Sequence, residues 1–214
     1  MVLKRLLSTP LIAILRGISP ANALAVGEKL IAAGFEVIEI PLNSPEPFKS
    51  MEILAREFPD YPIGAGTVLE LDQIKKVQDA GGQLILMPHL DADIVKMSKA
   101  MGLVCIPGVA TPSEAFMALR CGADALKMFP AETLGAAAVK AWLAVLPGGT
   151  KLIPFGGVNQ DNMQAFFDAG AHAVGLGSSL FRPEFSPGRV GELAQDFVRA
   201  FRSTSQKREL RRGG

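Results

Sequence analysis

The sequence predicts an α/β fold, a (β/α)8 barrel in a single domain, on three observations. Eight short apolar runs alternate with amphipathic, helix-like stretches along the 214 residues. The runs are apolar almost throughout, as strands are when a parallel sheet is covered on both faces. One junction also recurs, a helix end, a glycine and then a strand, in "AAGFEVIEI", "DAGGQLILM", "AMGLVCIP", "RCGADALKM" and "DAGAHAVGLG". Eight such units without an interdomain linker favour a closed barrel over an open doubly wound sheet. The length falls near the short end of the barrel range of roughly 200 to 400 residues. No G-x-G-x-x-G follows the first run, which weighs against a dinucleotide fold.

Taken in order, "LIAIL" (11–15) leads into Arg16-Gly17, and "PANALAVGEKLIAAG" follows as a helix with Leu24, Leu30 and Ile31 at helical spacing and Gly34 as its stop. "EVIEI" (36–40) carries Glu39, and "PIGAGT" (62–67) ends on Thr67. "QLILM" (83–87) precedes Pro88-His89, and "LVCIP" (103–107) precedes Gly108. "DALKMF" (124–129) carries Lys127, with Asp124 expected to cap the turn before it. "KLIPF" (151–155) leads into Gly156-Gly157, and "AVGLG" (173–177) into Ser178 and Ser179. The barrel domain is expected over residues 1–204, with a basic, disordered tail over 205–214.

Charge and composition exclude several classes. With 22 Lys+Arg against 21 Asp+Glu, the net charge is +1, so no broad field recruits nucleic acid or membrane. The basic residues that do cluster lie towards the C-terminus, from Arg199 to Arg212. Cys105 and Cys121 lack metal-type spacing and read as reduced packing thiols. The start "MVLKRLLSTPLIAILRG" has the outline of a signal peptide, but Ser8, Thr9 and Pro10 break its apolar run and Arg16 ends it. A soluble, cytoplasmic protein is the expectation, with no nucleic-acid or membrane partner.

Barrel chemistry sits at the C-terminal ends of the strands. There, Arg16, Glu39 and Lys127 come from the first, second and sixth runs and converge on one mouth. An unpaired ammonium in an apolar strand is costly, and a buried lysine lowers its pKa instead, becoming a nucleophile. Against this stands a lysine on an edge strand that reaches water through its stem. Glu39 is either that lysine's structural ion-pair partner or a general acid–base. Arg16 is either a surface group or a bidentate grip for a carboxylate, and close by it would also depress the Lys127 pKa. Thr67 either satisfies a neighbouring backbone group or bonds a bound carboxylate or keto group. The late glycines of "PFGGV" and "GLGSSL" are tight turns taken singly. Together, after the seventh and eighth strands, they point to a phosphate site to which Ser178 or Ser179 adds a hydroxyl. His89 reads as an ordinary polar residue and His172 lies at the wrong strand end. No divalent-metal cluster is expected.

"PLIAILRGI", "VIEIPLNSP", "IGAGTVL", "LKMFPAE" and "GGV…GLGSSL" resemble the 2-keto-3-deoxy-6-phosphogluconate/6-phosphogalactonate aldolases, class I enzymes on a (β/α)8 barrel. The likeness runs from about Pro10 to about Arg202 in family-like order and spacing. It implies Lys127 as the Schiff-base lysine and Glu39 as the proton shuttle. It implies Thr67 and Arg16 at the pyruvate-end carboxylate, and Gly156, Gly157, Gly177 and Ser178 at the phosphate. The arginine in "LRG" and Asn43 after "EIPL" follow the galactonate-type branch. That implies cleavage of the phosphogalactonate substrate to pyruvate and glyceraldehyde 3-phosphate, with no cofactor or metal and in a homotrimer. The phosphogluconate epimer remains the alternative, because Phe155 stands where that branch usually shows valine and its larger ring would crowd the sugar hydroxyls. A late-phosphate isomerase and a non-catalytic phosphosugar-binding barrel are the rivals outside the family. Neither requires a strand-six lysine.

Overall fold

The computed structural model describes the backbone of residues 2–5 and 8–212, with side chains through Ser203. Helix α1 (Val2–Arg5) is followed by β1 (Leu11–Ile14), α2 (Pro20–Ala33), β2 (Val37–Pro41) and α3 (Pro47–Glu57). Then come β3 (Ile63–Gly66), α4 (Leu71–Asp79), β4 (Leu84–Leu86), α5 (Ala92–Ala100), β5 (Val104–Ile106) and β6 (Gly108–Val109). The chain continues through α6 (Pro112–Arg120), β7 (Leu126–Met128), α7 (Ala131–Leu143), β8 (Leu152–Pro154), α8 (Met163–Asp168), β9 (Val174–Leu176) and α9 (Pro187–Arg212).

Each expected run contains a strand, but the fifth is split. Pro107 has no N–H to give to a ladder, so β5 and β6 are separate segments on either side of it. The described strands form two parallel sheets, one of order β5-β4-β3-β2-β1-β9 and one of order β6-β7-β8. A parallel bridge between Phe155 and Gly175 joins them.

Strand alternation sorts the core into two clusters. Leu11, Ala13, Leu15, Ile38 and Ile40 pack with helix residues such as Val26, Leu30 and Leu54. Ile12, Ile14, Val37, Leu86, Ile153 and Phe155 form the other cluster, which apart from Val2 of α1 is drawn from strands and their immediate flanks. Successive side chains point to opposite faces, so Glu39 shares the face of Val37, and Lys127 that of Ala125. Both therefore belong to the second, strand-lined interior. Within the stretch that outlines a signal peptide, Val2 is buried in this cluster and Leu11–Ile14 form β1; residues 1, 6 and 7 lie outside the described residues.

Helix α2 ends as its sequence dictates. Gly34 takes φ 104°, its N–H bonds Ile31 O, and the Phe35 N–H bonds Leu30 O, closing the turn with a left-handed residue. Its core face, however, is Ala23, Val26, Gly27 and Leu30 rather than the Leu24 side of the helix. Leu24 is exposed, and Gly27 is the residue that lets Leu54 and Phe58 of the α3 region press close. Asp124 also differs from expectation. Its carboxylate takes both bonds from Lys99 Nζ at 2.7 Å and accepts the Cys105 N–H at 2.8 Å, tying α5 and β5 together instead of capping its own turn. Cys105 and Cys121 are free, and burial pushes the Cys105 thiol up to about 12, an inert group. The boundary expected at 204 falls within α9, whose backbone is helical to Arg212; residues 213 and 214 lie outside the described residues. No described helix is long and apolar enough to cross a membrane.

Candidate active site

The strand-lined interior opens at the C-terminal ends of the strands into a cavity of about 380 Å³. Arg16, Glu39, Lys127, Phe155, Gly156, Gly157, Gly177 and Ser178 all line it. Seven of them come from β1, β2, β8 and β9 or the segments that follow those strands, and β7 adds the lysine. Two expected residues do not line it. Thr67 stands behind Arg16, and Ser179 donates its hydroxyl to Val158 O at 2.7 Å, pinning the last loop to the one before it.

Lys127 lies between Gly108 and Ile153 in register and is 5% exposed. Its Nζ stands 4.7 Å from the Phe155 ring centroid and 5.4 Å from that of Phe129. Burial, the largest influence, pulls its pKa below the ordinary lysine value; the Glu39 charge opposes this and Arg16 adds to it. The two ring faces favour the ammonium form modestly, and burial outweighs them. The edge-strand alternative for Lys127 is thus excluded, because β7 is central in its sheet and the amine points inward.

Glu39, fully buried on β2, lies between Ile14 and Gly64 in register. Among the described residues, neither carboxylate oxygen has a hydrogen-bonding partner. Burial raises its pKa above the ordinary carboxylate value, while the Lys127 and Arg16 charges pull the other way. Glu39 and Lys127 make no direct ion pair, so the structural salt bridge that their pairing suggests is not what this pair forms. Each feels the other's charge while keeping its polar atoms free for a third group. An unpaired buried carboxylate is costly, and such a cost is characteristic of functional sites.

Arg16 follows β1 at the rim. Its Nη1 donates to Asn43 Oδ1 at 2.7 Å and its Nη2 to Thr67 Oγ1 at 3.5 Å. Thr67 holds φ 55°, a left-handed conformation that a β-branched residue rarely adopts, so its hydroxyl is placed at a backbone cost. Across the cavity, Gly156 and Gly157 take φ 93° and 69°. A β-carbon on Gly156 would press the Phe129 ring at 3.2 Å, and one on Gly157 would meet Glu132 Oε2 at 2.3 Å. These glycines let the backbone itself face the cavity.

Three contributors escaped the reading of the sequence. Gly66 leaves the space that the Glu39 carboxylate fills, since a β-carbon there would lie 1.5 Å from Oε1. Phe129 forms one wall, and its signal was its place two residues beyond Lys127. Arg182 also lines the cavity, its Nε donating to Ser178 O at 3.1 Å, and its signal was a cation just after the "GLGSSL" glycines. His89 is exposed, and His172 sits at the opposite strand ends.

A buried amine, a buried carboxylate and a rim guanidinium round one cavity suit covalent chemistry on a carbonyl compound. The family model for KDPG and KHG aldolases matches residues 2–188. The chain belongs to this aldolase family. Over 198 residues it is 42% identical to the 2-dehydro-3-deoxy-6-phosphogalactonate aldolase of Escherichia coli (strain K12), covering 92% of this chain and 97% of that one. It is 44% identical over 186 residues to a probable enzyme of the same name from Rhizobium meliloti (strain 1021), covering 86% and 88%. A native KDPGal structure superposes with TM-score 0.90 at 42% identity, covering 92% of this aldolase and 96% of that chain. A KDPG aldolase from Legionella pneumophila, holding pyruvate captured at low pH as a covalent carbinolamine, superposes with TM-score 0.84 at 30% identity, covering 92% and 98%.

Proposed function

We propose that this aldolase cleaves 2-dehydro-3-deoxy-6-phosphogalactonate to pyruvate and glyceraldehyde 3-phosphate through a Schiff base on Lys127. The observation that carries the reading is the buried Lys127 amine, its pKa lowered, facing the unpaired Glu39 carboxylate in one cavity. The 42–44% identity to phosphogalactonate aldolases, against 30% to a phosphogluconate aldolase of Zymomonas mobilis, supports the galactonate substrate.

Neutral Lys127 attacks the C2 ketone, and Glu39 carries the proton that lets the carbinolamine lose water. The protonated imine is then an electron sink two bonds from the C3–C4 bond. Removal of the C4 hydroxyl proton forms the aldehyde carbonyl, and the C3–C4 electron pair moves into the imine as an enamine. Glyceraldehyde 3-phosphate leaves. The enamine takes a proton at C3, and water releases pyruvate and the free amine. Glu39 suits these transfers because its raised pKa brings it closer to neutral pH. Arg16, with Thr67 behind it, holds the pyruvate-end carboxylate; Gly156, Gly157, Gly177 and Ser178 hold the phosphate, with Arg182 adding charge. Binding the phosphate away from the broken bond orients the substrate for cleavage.

The reading extends to architecture. With β5 and β6 counted as one strand interrupted at Pro107, the Phe155–Gly175 bridge supports a ring of eight strands, a closed (β/α)8 barrel in a single domain. A cytoplasmic homotrimer acting in galactonate breakdown completes it.

Borohydride reduction in the presence of pyruvate, followed by peptide mass analysis, tests the chemistry. Pyruvate should be fixed on the Lys127 peptide, and Lys127→Arg should lose both fixation and turnover because a guanidinium does not become a neutral amine. An isomerase or a binding protein leaves no covalent mark. Fixation elsewhere, or an active Lys127→Arg, overturns the assignment.

A further inference from the structure

One dipeptide after β2 holds Arg16 from two sides. The Asn43 amide oxygen takes the Nη1 proton at 2.7 Å. The Ser44 hydroxyl accepts the Gly17 N–H at 2.9 Å and donates towards Leu15 O at 3.5 Å, so it laces the backbone immediately before and after Arg16. Ser44 is buried at 7% exposure, and its own N–H closes a turn onto Pro41 O at 2.9 Å. β1 and β2 are neighbours with Ile14 opposite Glu39 in register, so the brace stands on the same two strands that place the Glu39 carboxylate.

We propose that Asn43 and Ser44 are positioning residues that aim the Arg16 guanidinium over the cavity for the substrate carboxylate, Ser44 fixing its backbone and Asn43 its side chain. The inference rests on the reading of Arg16 as the carboxylate-binding group. A guanidinium donates only, so the amide presents its oxygen and the sense of the bond is fixed by chemistry. Both acceptors on Arg16, the Asn43 amide and the Thr67 hydroxyl, are neutral. They orient the fork without cancelling its charge. A carboxylate at residue 43 would grip the same fork and consume the charge that the substrate needs. Around the amine, the charged groups lining the cavity are Arg16, Glu39 and Arg182.

The test compares Asn43→Ala, Asn43→Asp, Ser44→Ala and Arg16→Ala by steady-state kinetics and by the pH dependence of pyruvate fixation. Asn43 is exposed, so its two variants keep the fold, which circular dichroism checks. Asn43→Ala frees the guanidinium and should raise KM about tenfold with kcat little changed, the loss of one charge-assisted bond's worth of orientation. Asn43→Asp keeps the acceptor but pairs with the guanidinium and offsets its charge, so KM should rise as much. Its fixation should also need a higher pH, because Arg16 no longer helps keep Lys127 unprotonated. Asn43→Ala adds no charge, so its rise in KM without a shift in that pH dependence separates positioning of the fork from the charge effect of Asn43→Asp. Ser44→Ala should raise KM by a smaller factor, and Ser44→Thr should restore it. If Arg16→Ala raises KM while both Asn43 variants leave KM and the pH dependence unchanged, the brace is overturned and the carboxylate reading survives. If Arg16→Ala leaves KM unchanged, the carboxylate reading falls and the brace with it.

Discussion

Gly66 and Glu39 share one small volume: a β-carbon on Gly66 would sit 1.5 Å from the Glu39 Oε1 atom and 2.4 Å from its carboxyl carbon. The catalytic assignment of Glu39 therefore depends on a missing side chain on the next strand. Gly66→Ala should drive the carboxylate out of its seat and lower kcat by roughly 10²-fold, the scale on which a positioned acid–base contributes. Urea melts should show the protein still folded, because the displaced atoms are the end of a side chain facing a cavity. Unchanged kcat in folded Gly66→Ala would detach Glu39 from the chemistry.

The electrostatics of Lys127 predict shifts of opposite sign. In the proposed mechanism the Lys127 amine reacts only when neutral, so imine formation should fail as pH falls through its pKa. Arg16 depresses that pKa and Glu39 raises it. Arg16→Leu should therefore move the acid limb of pyruvate fixation to higher pH, and Glu39→Gln should move it to lower pH. The pH midpoint of borohydride-trapped pyruvate, with each variant scaled to its own plateau, reads both, since Glu39→Gln also slows the carbinolamine dehydration that precedes trapping. Shifts of the same sign would contradict the charge arrangement.

Why Lys127, Glu39 and Arg16 were legible in the sequence, and Gly66 and Ser179 were not, follows from what each signal depends on. A charge inside an apolar strand violates the local pattern and marks itself, whatever the rest of the chain does. Strand alternation then fixes which face it uses, so the convergence of these three residues required only the order of the strands. Gly66 obtains its meaning from a side chain on a neighbouring strand, and Ser179 spends its hydroxyl on Val158 O across two loops. Such partners are set by register and loop path, which residue type does not encode. The strand interrupted at Pro107 was written in the sequence, as a proline inside an apolar run, and the missing N–H is its physical cause. The buried face of α2 was hidden for another reason: Gly27 looks like a weak helix residue until Leu54 and Phe58 are seen to need the space.

Phe155 and Gly175 are a matched pair. They face each other in the bridge that joins the sheets, and a β-carbon on Gly175 would lie 2.2 Å from the Phe155 ring. The ring is buried beside the lysine, at the position expected to sense the sugar hydroxyls. Phe155→Val should change the ratio of kcat/KM for the two C4 epimers by about tenfold, the scale of a filled or emptied pocket, and cost about 1–3 kcal/mol of stability through the cavity left behind. Gly175→Ala should perturb the same ratio by pushing the ring aside. An unchanged ratio in both would remove residue 155 from epimer selection.

The buried amine and carboxylate cost the fold stability. Lys127 is held below its ordinary 10.5, so in the window between its lowered value and 10.5 the unfolded chain binds more protons. Its contribution to stability is fully present above 10.5 and is lost as pH falls through the folded value. Glu39, held above 4.5, has the opposite sign: its contribution is full below 4.5 and is lost as pH rises through its raised value. Neutral pH lies above 4.5 and below 10.5, so there each group works against the fold. Glu39→Met/Lys127→Met replaces them with apolar groups of similar shape and should stabilise the protein by roughly 1–4 kcal/mol while abolishing turnover. Either single substitution strands the other group without its counter-charge and should be less stable than the double variant. Urea denaturation at pH 7 measures all four proteins, and a double variant less stable than the parent would mean that the buried amine and carboxylate hold the fold together rather than strain it.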